Sequence, residues 1–438
     1  MRVLKNPVET FINNSSAGSI FLLLFTVIAL VWANSPWQDI YHSLWQEDFS
    51  IGFTESDFVI THPLYLWVND GLMTIFFFYV GLEIKREILA GELTTLRKAS
   101  MPIFAALGGI LVPIGIFFLF VLITNQDRGA TGWGIPMATD IAFSLGILHL
   151  LGKRVPLGLK IFLTAFAIID DIGAILVIAF FYSSEIQFNY LFIALGILLI
   201  LGILAYYKFH SKYILLICGI AVWILFTESG VHPTIAGVLL AMVIPSARSE
   251  RLDNLLGKVE NSLDTFKETE EPDLVLSDEQ QEAVDDINVI TDRVQSPMQQ
   301  LENGLSGWVS IVIMPIFALA NAGITFDAES FNQPMLLIQI GVAMVVGKII
   351  GISLGSFLAL KAGIAHLPKA IEIKDIIGLS FLGGVGFTMS LFIGELAFRE
   401  NDLLSASKIG ILFGTVIAGV SGYFILRYRL RQKSDPKS

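Results

Sequence analysis

The sequence predicts an all-α polytopic membrane protein of about 12 transmembrane helices, with two inverted-topology repeats whose middle helices are broken. Three observations carry that prediction. The 438 residues are 54% hydrophobic and only 15% charged, with mean hydropathy +0.70, a balance that soluble globular domains do not reach. Apolar runs long enough to cross about 30 Å of hydrocarbon recur along the whole chain. Two of those runs are interrupted by glycine or proline near their centres.

The runs lie near 12–33, 63–84, 98–124, 131–151, 156–182, 187–207, 211–227, 231–247, 304–324, 333–360, 374–395 and 403–427, numbered here as spans 1 to 12. No small-residue cleavage site follows the first, so it is expected to stay as a helix. Residues 1–249 then form a membrane domain of spans 1–8, and 304–438 hold spans 9–12 and a basic tail. Segment 250–303 between them is polar, acidic and poor in aromatics, and is expected to be a disordered or loosely helical cytoplasmic loop. Between Glu250 and Gln295 it carries 14 acids and 4 bases, a balance of −10 out of −11 for the chain. The acidic character is therefore that of one loop and points to no nucleic-acid partner.

Orientation follows from lysine and arginine. With the N-terminus in the cytoplasm, the inside segments hold Arg2, Lys5, Lys85, Arg86, Arg97, Lys98, Lys153, Arg154, Lys208, Lys212, Lys361, Lys369, Lys374 and the basic tail. The outside segments hold only Arg128 and Arg399, so both termini are expected inside. In the first outside loop, Phe49–Phe53 alternate around a glycine, which suggests a short hairpin, although a plain loop fits as well. The single Cys218 excludes a disulfide within the chain, and six scattered histidines show no metal-ligand spacing.

Span 4 reads GATGWGIPMATD, with Gly129, Gly132, Gly134 and Pro136 ahead of Asp140. Span 11 reads SFLGGVGFTMSLF, with Gly383, Gly384 and Gly386 at its centre. Glycine and proline ease the breaking of a helix, and a broken helix exposes backbone dipole ends inside the membrane. These are the middle members of spans 3–5, which start outward, and of spans 10–12, which start inward. Such a pair of units points to a transporter site at the repeat interface; flexible packing helices are the plainer alternative.

Span 5 carries the adjacent carboxylates Asp170 and Asp171, ten residues or more past Lys160 and near the bilayer midplane. Asp140 in span 4 and Lys348 in span 10 lie at similar depth. Intramembrane charges are costly and mark ion or proton pathways. Three acids and one base suit a cation or protons, and the acid pair should titrate in coupled steps. A satisfied structural pair is the alternative. Gly347, Gly351 and Gly355 around Lys348 have the spacing that lets helices pack closely.

The motifs FLTAFAIIDDIGAI, PMATDIAFSLGIL, WVNDGLMTIFFFYVGLEIKRE, PIFALANAGI and FLGGVGFTMSLFIGELAF closely resemble those of the NhaA-type sodium/proton antiporters, in family order and over nearly all the chain except 250–300 and the tails. The resemblance implies antiport of Na+, and of Li+, against H+, with no enzyme chemistry and no cofactor. It implies a cation and proton site at Asp170 and Asp171, with Lys348 the partner of Asp170 and with Asp140 and Thr139 at the crossing of the broken helices. Asp70 matches a further membrane acid of that family. Glu83, Lys85, Arg86, Glu87, Glu302 and His232 match a region linked to pH sensing, though Glu83–Glu87 also read as an ordinary charged helix end. Asn303 and Pro233 depart from residues that relatives often carry. A bacterial inner-membrane location is implied, as is a homodimer formed through the outside hairpin at 45–60. Three other classes compete. An intramembrane aspartyl protease needs carboxylates facing each other from different helices, whereas adjacent residues point about 100° apart. A retinal protein needs a buried lysine but fewer spans. A passive cation channel would pass sodium without moving protons the other way.

Overall fold

A computed structural model describes residues 15–52, 59–125, 127–183, 185–207, 211–247, 252–268, 276–326, 331–367 and 371–434. Among them, eight helices are long and apolar enough to cross a membrane: Leu64–Ala90, Leu96–Thr124, Leu157–Phe181, Phe188–Tyr206, Lys212–Ser229, Pro297–Asn321, Pro334–Lys361 and Asn401–Lys433. They are spans 2, 3, 5, 6, 7, 9, 10 and 12. Span 4 is the pair Asp127–Met137 and Ile141–Leu150, bent by 50°, and span 11 is the pair Ile373–Gly383 and Phe387–Ala397, bent by 47°. Span 1 is Ser15–Ala33, followed at 113° by the short helix Gln38–Gln46. Span 8 is the short apolar helix Thr234–Val243. Spans 6 and 7 turn Leu199, Phe192, Leu216 and Ile217 outward, a surface suited to lipid and not to water.

Successive spans run in opposite directions, and contacts between their ends define two faces. On one, Lys85 at the end of span 2 bonds the Met242 carbonyl at 2.6 Å beside the end of span 8, and Lys433 of span 12 pairs with Asp375 of span 11 at 2.5 Å. On the other, Asn34 after span 1 bonds the Ile324 carbonyl after span 9 at 2.7 Å, and Arg128 at the start of span 4 pairs with Glu400 before span 12 at 2.5 Å. The second face carries a two-stranded antiparallel hairpin, β1 (Asp48–Gly52) with β2 (Val59–Pro63), so the hairpin prevails over the plain loop; Phe53 lies outside the described residues. It is called the hairpin face here, and the first the loop face.

Span 3 leaves the loop face and span 10 leaves the hairpin face, so the units they begin are inverted with respect to each other. The two helices pack with backbones almost touching. A Cβ on Gly351 would run into the Gly108 carbonyl, and one on Gly355 into that of Phe104. Small residues at this interface let the helices approach and bring span 10 against the site.

Of the two alternatives for the acidic segment, disordered or loosely helical, its described residues take the helical one. Residues Leu252–Glu268 and Asp278–Val294 form two helices that pack side by side and bury Leu255, Ala283 and Ile290. The second starts in a capping box, in which Ser277 and Gln280 satisfy each other's backbone N–H groups. Apolar residues recur here at helical spacing and give each helix one face to bury, which charge and aromatic content do not reveal. Residues 297–303 are not loop either: they open span 9, behind a second capping box at Ser296.

Candidate functional site

The two broken spans cross at their breaks, and each supplies what the other lacks. A helix end leaves backbone carbonyls or N–H groups unpaired, which is costly in hydrocarbon. At the end of the first half of span 11, the Gly383 carbonyl accepts from the Thr139 hydroxyl and the Leu382 carbonyl from the Ser144 hydroxyl, both at 2.8 Å. In return Ser390 of span 11 donates to the Ile135 carbonyl of span 4 at 2.9 Å. The Asp140 N–H donates to the Val385 carbonyl at 2.6 Å. Asp140 then caps two helices with one carboxylate: Oδ1 accepts from the Phe143 N–H at 3.1 Å, and Oδ2 accepts the Thr388 N–H at 3.0 Å and the Thr388 hydroxyl at 2.5 Å. A carboxylate is favoured there because two half-helix N-termini converge on it. Gly386 has no Cβ, and one would press on the Ala138 carbonyl, so the crossing closes only around glycine at that position.

Span 5 passes beside this crossing. Asp170 is 1% exposed and faces span 10, where both its oxygens accept from Lys348 Nζ, at 2.9 and 2.8 Å. Lys348 is fully buried, with its ammonium 5.6 Å from the centre of the Phe166 ring. A π-helical turn, Ala343–Gly347, immediately precedes it and sets its direction. Asp171 points elsewhere, as the helical repeat requires of adjacent residues. Among the described residues no protein donor bonds its carboxylate, and it lines a cavity of about 740 Å³ together with Thr139, Asp140 and Thr388. That cavity runs to the loop face, where Glu83, His149, Asn303 and Gly304 line it. Among the described residues no three His, Cys, Asp or Glu side chains gather into a metal cage. The arrangement instead offers one carboxylate held by an ammonium and one left open to the cavity.

On the hairpin face a second cavity, of about 800 Å³, is lined by Asn69, Asp70, Asn321, Phe392, Glu395 and Lys408 among others. Phe392 is fully buried, and its ring lies 5.6 Å from Phe77 and 6.3 Å from Phe317. This aromatic cluster separates the hairpin-side cavity from the crossing. The structure is thus open toward Asp171 from the loop face and closed from the other.

Five of the six residues expected at a sensing mouth do meet at the loop face. Arg86 pairs with Glu302, and with Glu87 at 3.0 Å. Glu83 accepts from the Tyr79 hydroxyl at 2.8 Å. Lys85 is spent on carbonyls at the end of span 8, those of Met242 and, at 2.5 Å, Ile244. His232 does not join them. It lies between spans 7 and 8 on the hairpin side, with Nε2 3.8 Å from Asp70 Oδ1 and its ring 5.4 Å from that of Phe392. The order of the spans explains this: the connection between spans 7 and 8 is an odd number of crossings from the mouth, which puts it on the opposite face. Asp70 itself sits in a π-helical turn, Trp67–Leu72.

A family model described as Na+/H+ antiporter 1 matches residues 9–426. The chain belongs to this family. Full-length relatives named Na(+)/H(+) antiporter NhaA are 43% identical in Oleidesulfovibrio alaskensis over 99% of this chain and 96% of theirs, and 42% identical in Phocaeicola vulgatus over 94% of each. Another, from Acidithiobacillus ferrooxidans, is 41% identical over 98% of this chain and 99% of its own. Membership makes the chain a multi-pass membrane transporter and not an enzyme. Within that frame, Thr388 at the crossing and Phe392 in the aromatic cluster are residues that sequence reading passed over. Thr388 had a signal, a hydroxyl residue just inside a half-helix that starts without a capping side chain. His149, on the second half of span 4, had none, since one histidine on an apolar helix is usually a packed one.

Proposed function

We propose that the chain expels Na+, and Li+, in electrogenic exchange for more H+ entering, with Asp170 and Asp171 as the shared cation and proton site. The observation that carries this reading is the unequal state of the two acids: Asp170 held by Lys348, Asp171 free at the floor of the loop-side cavity. A cation reaching Asp171 from that cavity draws on Asp170 as well and displaces protons from the pair. The two inverted units then rock, and protons arriving from the hairpin face displace the cation in turn. Each net charge moved gains about 2.3 kcal/mol per 100 mV. The loop face is the cytoplasmic one, as its lysines and arginines support, and the membrane is a bacterial inner membrane with both termini inside. The Arg86–Glu302–Glu87 network at the cavity mouth sets the pH response, since a change of charge there alters the field at the entrance. Two copies pair through the hairpin, whose exposed Phe49 and Ile51 support an apolar contact.

The test is proton flux in vesicles whose loop face is outward. Added Na+ should collapse an imposed proton gradient, and K+ should not. Sodium movement with no counter-movement of protons would turn the reading into that of a passive channel.

A further inference from the structure

Seven residues past Thr388, on the same half-helix of span 11, Glu395 enters the hairpin-side cavity. Seven residues are about two turns, so the side chain at the crossing and the one in the cavity share a helix face about 10 Å apart. Phe392 lies between them and closes the path. Among the described residues Glu395 has one charged partner, Lys408 of span 12, whose Nζ lies 2.6 Å from its Oε1. Among the described residues no other donor bonds it. The two side chains are 15% and 16% exposed, so both are largely withdrawn from solvent yet reached from the cavity. Asp70 of span 2 lines the same space from the opposite wall.

The arrangement repeats that of Asp170 and Lys348, a carboxylate on one helix and an ammonium on another, with one difference. The Asp170–Lys348 pair is sealed from solvent, whereas the Glu395–Lys408 pair lines a cavity, where an arriving ion can compete for the carboxylate. We propose that Glu395 is a second station for the transported monovalent cation and its competing proton, facing the hairpin side, and that Lys408 occupies it until an ion takes its place. This rests on the reading of the chain as an antiporter. The station places the waiting ion directly outside the Phe392 barrier, on the same rigid half-helix whose start Asp140 holds.

The test is exchange in reconstituted vesicles with Na+ added on one face at a time. Glu395→Gln should raise the apparent KM for Na+ on the hairpin face about five-fold, and Lys408→Gln should lower it by a similar factor, the size expected of a partly exposed pair. The KM on the loop face should stay within about two-fold in both, since the shift belongs to one cavity. The double variant Glu395→Gln with Lys408→Gln leaves no lone charge and so keeps the test alive if a single variant fails to fold. It should retain the raised KM on the hairpin face. If the double variant returns the wild-type KM there, or if every variant moves both faces equally, the pair is structural and the proposal falls. Absence of exchange in the unaltered protein would instead remove the antiporter reading.

Discussion

The Asp140 carboxylate caps its own half-helix at Phe143 and a foreign one at Thr388, joining the two broken spans through a single side chain. Gly386, which begins the second half of span 11, has no side chain to cap with, so the cap comes from span 4. The two halves are therefore one mechanical unit. Moving one changes the satisfaction of the other.

That relationship is testable by stability. Thr388→Val removes the hydroxyl donor and keeps the backbone one, and should cost about 1 kcal/mol, the usual worth of one hydrogen bond. Asp140→Ala removes both caps and should cost several times as much, with caps worth about 0.5–2 kcal/mol each. Thermal unfolding in detergent should rank wild type above Thr388→Val above Asp140→Ala. Equal loss in both variants would show that the hydroxyl bond, and not the bridging carboxylate, holds the crossing.

Asp171 carries the second prediction. Among the described residues no protein donor bonds its carboxylate, so Asp171→Asn removes charge without breaking any hydrogen bond described there. Folding should be unchanged and exchange abolished, because an amide neither releases a proton nor neutralises Na+. Asp170→Asn should be severe as well, but with lost stability, since it leaves Lys348 buried without its anion. Sodium-driven proton flux by folded Asp171→Asn protein at the wild-type rate would remove the central claim.

Most of this site is legible in the sequence because the membrane makes polar residues expensive. Asp140, Asp170, Asp171 and Lys348 stand out from apolar runs, and glycines mark both breaks. What the sequence does not carry is which face a charge reaches. His232 reads as a companion of Glu302 until the order of spans 7 and 8 puts it beside Asp70. The pairing of Glu395 with Lys408 is equally hidden, since each reads alone as the charged end of a helix. The helices at Leu252–Glu268 and Asp278–Val294 are legible only as one of two alternatives, for a different reason: a strong excess of acid masks a helical period carried by a few residues such as Leu255 and Ala283.

The contact between spans 3 and 10 yields a third prediction. Gly351→Leu would drive a side chain into the Gly108 carbonyl and push span 10 away from span 3. Lys348, one turn earlier, would move with it. Stability should fall, by about 1–3 kcal/mol or more as for other overpacked interiors, and exchange should fall in parallel. Gly115→Leu is the control, as nothing lies within 4 Å of its would-be Cβ. Full exchange by Gly351→Leu would show that the close approach is not what positions Lys348.

The acidic helices can be removed cleanly, because the chain on either side already meets: the Met298 N–H donates to the Pro245 carbonyl at 3.2 Å. Replacing residues 250–295 by a short flexible linker should leave membrane insertion and maximal exchange intact. It removes a net charge of −10 next to Asn303, which lines the loop-side cavity and bonds Gln295 at 3.3 Å. The apparent KM for Na+ on the loop face should therefore rise at low ionic strength. The rise should vanish near 1 M salt, where the Debye length is about 3 Å. A shift that is the same at both ionic strengths would rule out an electrostatic origin.

Lys348 separates two mechanisms. If its task is a fixed positive charge on Asp170, Lys348→Arg should retain substantial exchange, since arginine stays protonated. If lysine must itself release a proton in the cycle, arginine should fail at every pH, because it does not deprotonate in proteins. The geometry favours the first: both Asp170 oxygens lie within 2.9 Å of Nζ, and holding that pair needs charge and not proton loss. Lys348→Ala distinguishes neither but measures the pair. It strands a carboxylate that is 1% exposed, and breaking a buried pair from one side typically costs about 3–5 kcal/mol. The Ala variant should thus unfold at markedly lower temperature than the Arg variant. The deciding measurement is exchange by Lys348→Arg over a pH series, normalised to inserted protein. Inactivity throughout, in a variant as stable as wild type, would make Lys348 a proton carrier.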